Sequence, residues 1–183
     1  KQTLEAFALA KKAEFSAINM DLIAGLPGET GKEFLTGLSQ SMELAPENIT
    51  IHTLTVKRSS YLRESMEQLE TRQQLPTLLK EAERQLSKNG YSPYYLYRQK
   101  GTLENLENVG YSKPNHNSYY NIYSMEEVQT ILAVGAGAAT KLYARPNTIK
   151  RIYNHKYPYE YLDDFNEMLR RKSAVRSFYE RNN

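Results

Sequence analysis

Two hydrophobic periods alternate along the first third of the chain. From Thr3 to about Glu14, Leu4, Phe7 and Ala8 fall on one side of a 3.6-residue turn, while Lys11, Lys12 and Glu14 are polar. That spacing predicts an amphipathic helix. Ser16 to Ala24 switches to period two, with Ile18, Met20 and Leu22 on one face and Asn19, Asp21 and Ile23 on the other. Successive strand side chains point to opposite sides, so this stretch predicts a strand with one acid in it. Gly25-Leu26-Pro27-Gly28 then breaks the strand. Thr30 and Glu33 stand three apart just before Phe34 and Leu35, the spacing of a capping box. A helix over 31–44 follows, with Phe34, Leu35, Leu38 and Met42 at helical spacing, and it ends before Pro46. Asn48 to Val56 is β-branched and predicts a second strand. Strand, helix and strand in this order imply a parallel βαβ unit, whose sites form at the carboxyl ends of its strands. Asp21 and the Thr53–Thr55 region are the residues so placed. Spacing alone leaves Asp21 either a solvent-facing acid or a ligand-binding one.

The pattern is less regular afterwards. Residues 57–74 are polar and predict a loop leading into a short helical stretch. Leu75 to Lys88 predicts a scaffold helix with Leu75, Leu78, Leu79, Ala82 and Leu86 inward, closed by Asn89-Gly90. Tyr91 to Lys100 (YSPYYLYRQK) reads as a strand with aromatic residues on both faces. Gly101 to Ser118 has no clear period and reads as an ordered loop. Ser124 and Glu127 form a second capping signature. Ile131 to Tyr143 reads as a small-residue strand or strand–turn, and its Gly135-Ala136-Gly137 run lets another backbone or a ligand approach closely. Thr148 to Tyr153 is its hairpin partner. Pro158 opens a helix over 159–171 with Tyr161, Leu162, Phe165, Met168 and Leu169 inward, and the basic tail from Ser173 is helical.

Composition narrows the chemistry. The 183 residues suit one domain or one and part of a second, and the net charge of +3 is spread through the chain. No basic stripe asks for nucleic acid. No apolar run approaches the ~20 residues of a membrane helix, and no signal peptide is visible, so a cytoplasmic protein is expected. There are 15 Tyr, 5 Phe and no Trp. With no cysteine, this chain supplies no disulfide, no zinc–cysteine site and no thiolate for an iron–sulfur cluster. The chain opens at Lys1 inside a predicted helix, and a piece of a longer protein is expected.

Three segments together carry a family signature: NMDLIAGLPGET, YSPYYLYRQK with ENLENVGY, and ILAVGAGAATKLY. They resemble the C-terminal half of the oxygen-independent coproporphyrinogen III oxidases (coproporphyrinogen dehydrogenases) of the radical S-adenosylmethionine superfamily. The resemblance implies an α/β fold: the last βα units of a partial (β/α) barrel over residues 1–57, then a mixed α+β C-terminal extension over 58–183. It implies that the cysteines holding a [4Fe–4S] cluster lie outside this segment. The implied reaction is radical oxidative decarboxylation of a porphyrinogen propionate to vinyl, begun by reductive cleavage of S-adenosylmethionine. The full-length protein would then be an oxidoreductase, inactive as this segment alone. Its partners would be the porphyrinogen and its own N-terminal remainder, with no membrane and no nucleic acid.

By the same resemblance Asp21, Thr55 and Ala139 match positions that contact S-adenosylmethionine. A carboxylate accepts hydrogen bonds from ribose hydroxyls or an ammonium, whereas the Thr55 contact runs through its backbone. For a tetraanionic macrocycle, Arg98 with Lys100 and Lys113 can pair propionates, and Tyr95, Tyr97 or Tyr94 can pack on pyrroles. Equally, these tyrosines suit the edge of a core and these cations a solvated face. No catalytic or metal-ligating residue is assigned within the chain. His116-Asn117-Ser118-Tyr119-Tyr120 also resembles the H-N-x-x-Y-W signature of the haem-chaperone branch, with Asn121 in place of Trp, which makes haem binding the alternative function. An RNA-binding module using stacked tyrosines is a further alternative.

Overall fold

The computed structural model describes residues 1–54, 74–97, 106–146 and 148–182. It forms two compact units, Lys1–Ser118 and Tyr119–Asn183.

The first unit is a four-stranded mixed sheet with helices. Helix α1 (Gln2–Lys12) leads to β1 (Asn19–Ala24), α2 (Gly31–Glu43), β2 (Asn48–Thr53), α3 (Leu75–Lys88), β3 (Ser92–Tyr97) and β4 (Asn108–Ser112). The strand order is β1-β2-β4-β3. β1 and β2 run parallel, as the βαβ pattern predicts, with Asp21 opposite Thr50. β4 runs antiparallel to both β2 and β3. Strands from both sides of residue 57 therefore share one sheet.

The period-two reading of β1 holds: Met20 and Leu22 are half-buried, while Asn19, Asp21 and Ile23 are exposed. Ala24, Ile49, Ile51 and Tyr111 pack against Phe34 and Leu38 of α2 and Leu75, Leu78, Ala82 and Leu86 of α3. Thr30 caps α2 as expected. Its hydroxyl accepts from Glu33 N at 3.2 Å, and its own N–H donates to Glu33 Oε2 at 2.8 Å. Glu47 fastens the entrance of the sheet. One carboxylate oxygen accepts from Lys11 Nζ at 2.7 Å and the other from Ile18 N at 2.8 Å.

The stretch read as a loop over 101–118 contains β4. Its sequence Asn-Val-Gly-Tyr-Ser is poor in β-branched residues, so local propensity hides it. Pairing on both sides overrides that propensity. Gly110 has a specific reason to be there: an added Cβ would lie 2.0 Å and 2.4 Å from ring atoms of Tyr95. A β-bulge between Pro93 and Tyr95 sets the register that lays Tyr95 beside Gly110.

The second unit holds α4 (Tyr119–Glu126), the hairpin β5 (Ala139–Ala144) with β6 (Thr148–Tyr153), α5 (Pro158–Asp163) and α6 (Phe165–Asn182). Leu142, Ala144 and Ile152 pack on Phe178, with Ala174, Val175 and Tyr179 around them. Two expectations change here and one is narrowed. Ser124 lies near the end of α4 rather than opening a helix, because the preceding tyrosine run is itself helical. Of the two readings of 131–143, strand or strand–turn, the second holds, with the strand confined to β5. Ile131 keeps one isolated bridge to Lys141, and Gly135 and Gly137 turn the chain between them at φ 97° and 72°. The helix expected over 159–171 breaks at Asp164 into α5 and α6. Of its predicted inward residues only Met168 is buried, whereas Leu162, Phe165 and Leu169 are exposed. Phe178, in the basic tail, supplies the aromatic core contact instead.

Candidate functional site

The two faces of the four-stranded sheet differ in chemistry. Opposite α2 and α3, register sets polar and aromatic residues in rows across the strands. Asn19, Asn48, Ser112 and Ser92 make the first row, and Asp21, Thr50, Gly110 and Tyr95 the second. Beyond them Ile23 pairs with His52, and Asn108 with Tyr97.

A chain of polar contacts runs through these rows. Asn19 Nδ2 donates to Asp21 Oδ1 at 2.6 Å, and Thr50 Oγ1 donates to Asn19 Oδ1 at 3.0 Å. His52 Nε2 lies 3.5 Å from Asp21 Oδ1, and its Nδ1 lies 3.4 Å from the Tyr97 hydroxyl. Tyr97 stacks on Tyr95 at a centroid distance of 6.4 Å with an interplanar angle of 5°, and Tyr95 contacts Tyr94 at 4.9 Å. Burial pushes the Tyr97 hydroxyl pKa up, and the Asp21 carboxylate adds to that. Burial does the same for Tyr95, against a hydrogen bond with Thr50. Both phenols therefore stay protonated at neutral pH.

The Asp21 side chain is 60% exposed, and Oδ1 takes both of its contacts. Its Oδ2 has no protein partner among the described residues. Asp21 is the third of six residues in β1, so it stands in mid-strand on this polar face rather than at the strand's carboxyl end, where the sequence placed it. Asn108, 1% exposed, accepts from Thr53 N at 2.7 Å where the β2 ladder ends. Its buried Nδ2 has no partner. An orphan donor of this kind costs about 1–3 kcal/mol.

The structure thus brings Asp21, Tyr95 and Tyr97 onto one face. Ala139, half-buried, begins β5 in the second unit. Thr55, Arg98 and Lys100 lie outside the described residues. Lys113 donates to Ala45 O at 2.8 Å and lies over the Tyr91 ring at 5.4 Å. His116 closes a turn through its N–H to Lys113 O, and its carbonyl accepts from Asn48 Nδ2. Thr50, His52 and Asn108 were missed in the sequence. For His52 a signal existed: it is the sole ionisable residue of β2, and its parity matches Asp21 in parallel register.

In the second unit the glycine turn is held from several sides. Lys172 Nζ donates to Ala133 O at 2.8 Å and Thr140 Oγ1 at 2.6 Å, and Asn154 Nδ2 donates to Gly135 O at 2.7 Å. Burial lowers the Lys172 pKa.

Among the described residues no group of three or more His, Cys, Asp or Glu could hold a metal ion, and the chain has no cysteine. The donor set therefore does not fit an iron–sulfur cluster held by this chain. The polar face offers an acceptor to a donor-bearing ligand, since the Asp21 side chain is 60% exposed and its Oδ2 has no protein partner among the described residues. No described helix is long and apolar enough to cross a membrane.

No protein-family model matches the chain. It is 44% identical over 168 residues to the oxygen-independent coproporphyrinogen-III oxidase-like protein HemZ of Bacillus subtilis, a match covering 90% of this chain and 34% of that protein. It is 28% identical over 154 residues to the heme chaperone HemW of Haemophilus influenzae, covering 84% of this chain and 37% of the relative. The structure of HemN, the coproporphyrinogen III oxidase of Escherichia coli described as a radical SAM enzyme, superimposes with a TM-score of 0.60. That match has 19% identity and covers 88% of this chain and 37% of the neighbour. The α/β architecture is thus shared with HemN. The chain spans about a third of the length of the curated relatives it matches. The resemblance read from the sequence holds: over nine-tenths of its length this chain is similar to an oxygen-independent coproporphyrinogen-III oxidase-like protein, and it shares the fold of HemN.

Proposed function

We propose that this chain is the cofactor-facing and substrate-facing C-terminal part of a radical S-adenosylmethionine oxidoreductase that converts a porphyrinogen propionate to vinyl. The 44% identity to HemZ carries the reading. The polar face of the sheet supports it, because Asp21 offers an exposed acceptor of the kind a ribose diol or an ammonium can use. When bound with its [4Fe–4S] cluster, S-adenosylmethionine supplies the hydrogen-abstracting chemistry, and the cluster ligands come from the rest of the protein. This chain's residues bind, orient and exclude water. Asp21 and Thr55 hold the cofactor, and Ala139 matches a cofactor-contacting position by resemblance. Tyr95 and Tyr97 pack against the macrocycle, and Arg98 pairs a propionate. The protein works in the cytoplasm, without nucleic acid. The test is anaerobic turnover of coproporphyrinogen by the full-length, cluster-loaded protein. Vinyl product is expected, and its absence with an intact cluster would reject the substrate assignment.

A haem-delivery role is the second reading, favoured by the 28% identity to the heme chaperone HemW and by the fixed His116 turn. A neutral imidazole is a common axial ligand. Haemin titrated into the protein and into His116→Ala separates the readings. A Soret shift lost in the variant supports haem ligation, and identical shifts remove it.

A further inference from the structure

Helix α6 of the second unit has two sides with different surroundings. Met168 and Phe178 are buried, and Val175 and Phe178 pack with Leu142 and Ile152 of the hairpin. Phe165 and Leu169, four residues apart, share another side and stay in solvent, 47% and 56% exposed. Just ahead of them on α5, Tyr159 and Leu162 are exposed as well, Leu162 at 71%. Apolar side chains gathered in this way mark an interaction surface.

Charge is distributed unevenly along the same two helices. Residues 157–168 hold Glu160, Asp163, Asp164 and Glu167 and no lysine or arginine. Residues 169–183 hold Arg170, Arg171, Lys172, Arg176 and Arg181 against Glu180 alone. Only part of this charge is paired internally. Glu167 takes Arg170 and Arg171, Arg176 reaches Glu180, and Asp164 meets His155. Glu160 and Asp163 make no ion pair among the described residues. The helix dipole favours acids in the first turn and bases in the last. Arg170 and Arg171 stand in the second turn of α6, where the dipole asks for no cation.

We propose that this surface binds a second copy of the chain, with α6 packed antiparallel against α6 of the other copy about a two-fold axis beside Leu169. Such a contact needs a patch complementary to itself. An acidic end and a basic end on either side of an apolar middle meet that need, since antiparallel pairing lays each acidic end on the other copy's basic end. Asp163 precedes Leu169 by six residues and Arg176 follows it by seven. The axis therefore sets Asp163 opposite Arg176 of the second copy. Phe165 and Leu169 of both copies meet in the middle, and α6, ~27 Å long, gives the contact its length. A parallel pairing sets acid on acid and base on base, and is disfavoured for that reason.

The experiment is sedimentation equilibrium of the full-length protein, with thermal unfolding followed in parallel. The wild type is expected as a dimer. Leu169→Glu puts two carboxylates at the axis and raises the dimer dissociation constant more than about tenfold. The unfolding midpoint of the monomer it leaves stays that of a folded protein, since Leu169 lies outside the core. Asp163→Lys sets two cations against each other at both rims and raises the constant about 2- to 10-fold. Adding Arg176→Glu to Asp163→Lys restores the wild-type constant, because the pair is then reversed rather than lost. A folding defect does not produce that restoration. A monomer at every concentration, a dimer untouched by Leu169→Glu, or a double variant as weak as Asp163→Lys alone overturns the proposal.

Discussion

The two faces of the four-stranded sheet are built from the same strands under different demands. On the covered face, Ile49 and Ile51 meet the apolar stripes of α2 and α3, and Leu38, Leu75 and Leu86 are almost wholly buried. Side chains there are chosen by volume. On the polar face, His52 and Thr50 alternate with those isoleucines along β2, and each reaches a named atom on a neighbouring strand. Side chains there are chosen by donor and acceptor count. Period two thus lets one strand serve an apolar core on one side and a polar network on the other.

Substitutions break this comparison at different depths. The largest effect belongs to the covered face. Leu38→Ala removes a fully buried side chain and destabilises the fold by about 2–5 kcal/mol. Denaturant unfolding should record that loss, and the ligand affinity of the protein that remains folded should be unchanged. Gly110→Ala comes next. Its Cβ would fall on the Tyr95 ring, so the ring must leave its place, at a cost of about 1–3 kcal/mol. Unlike Leu38→Ala it should also alter the Tyr95 and Tyr97 ring signals in NMR. The smallest effect lies at the sheet entrance. Burial raises the Glu47 pKa, but hydrogen bonds from Lys11 and the Ile18 N–H outweigh this and hold it below the ordinary value. A carboxyl depressed in the folded state stabilises above its unfolded pKa, and that stability is lost as pH falls through the folded one. Glu47→Gln should therefore flatten the acid limb of the stability curve below about pH 4.5 and change neither face at neutral pH.

The covered face was the more legible in the sequence. Phe34, Leu38, Leu75, Leu78 and Leu86 declare themselves by helical spacing, and the Thr30–Glu33 box fixes where α2 begins. Those signals are local. The polar face depends on pairings distant in sequence. Asp21 was visible as a lone acid in an apolar strand, but its meeting with His52 needs the β1–β2 register. The position of Tyr97 needs β4, a strand that Asn108-Val109-Gly110-Tyr111-Ser112 does not advertise. Gly110 looked like a loop residue, since its reason for being glycine is a ring placed there by a bulge in another strand. The break at Asp164 was equally hidden, because the apolar residues on either side keep a helical period.

The account turns on Asp21 as a ligand-binding residue carried by a fold that does not need it. The direct measurement is S-adenosylmethionine affinity of the full-length protein against Asp21→Asn, with thermal unfolding of both followed in parallel. Hydrogen bonds to a charged group contribute about 1.5–3 kcal/mol, so affinity should fall about tenfold or more while the unfolding midpoint stays in place. Equal affinity in the two proteins, or a loss of binding matched by a loss of fold, would contradict the account.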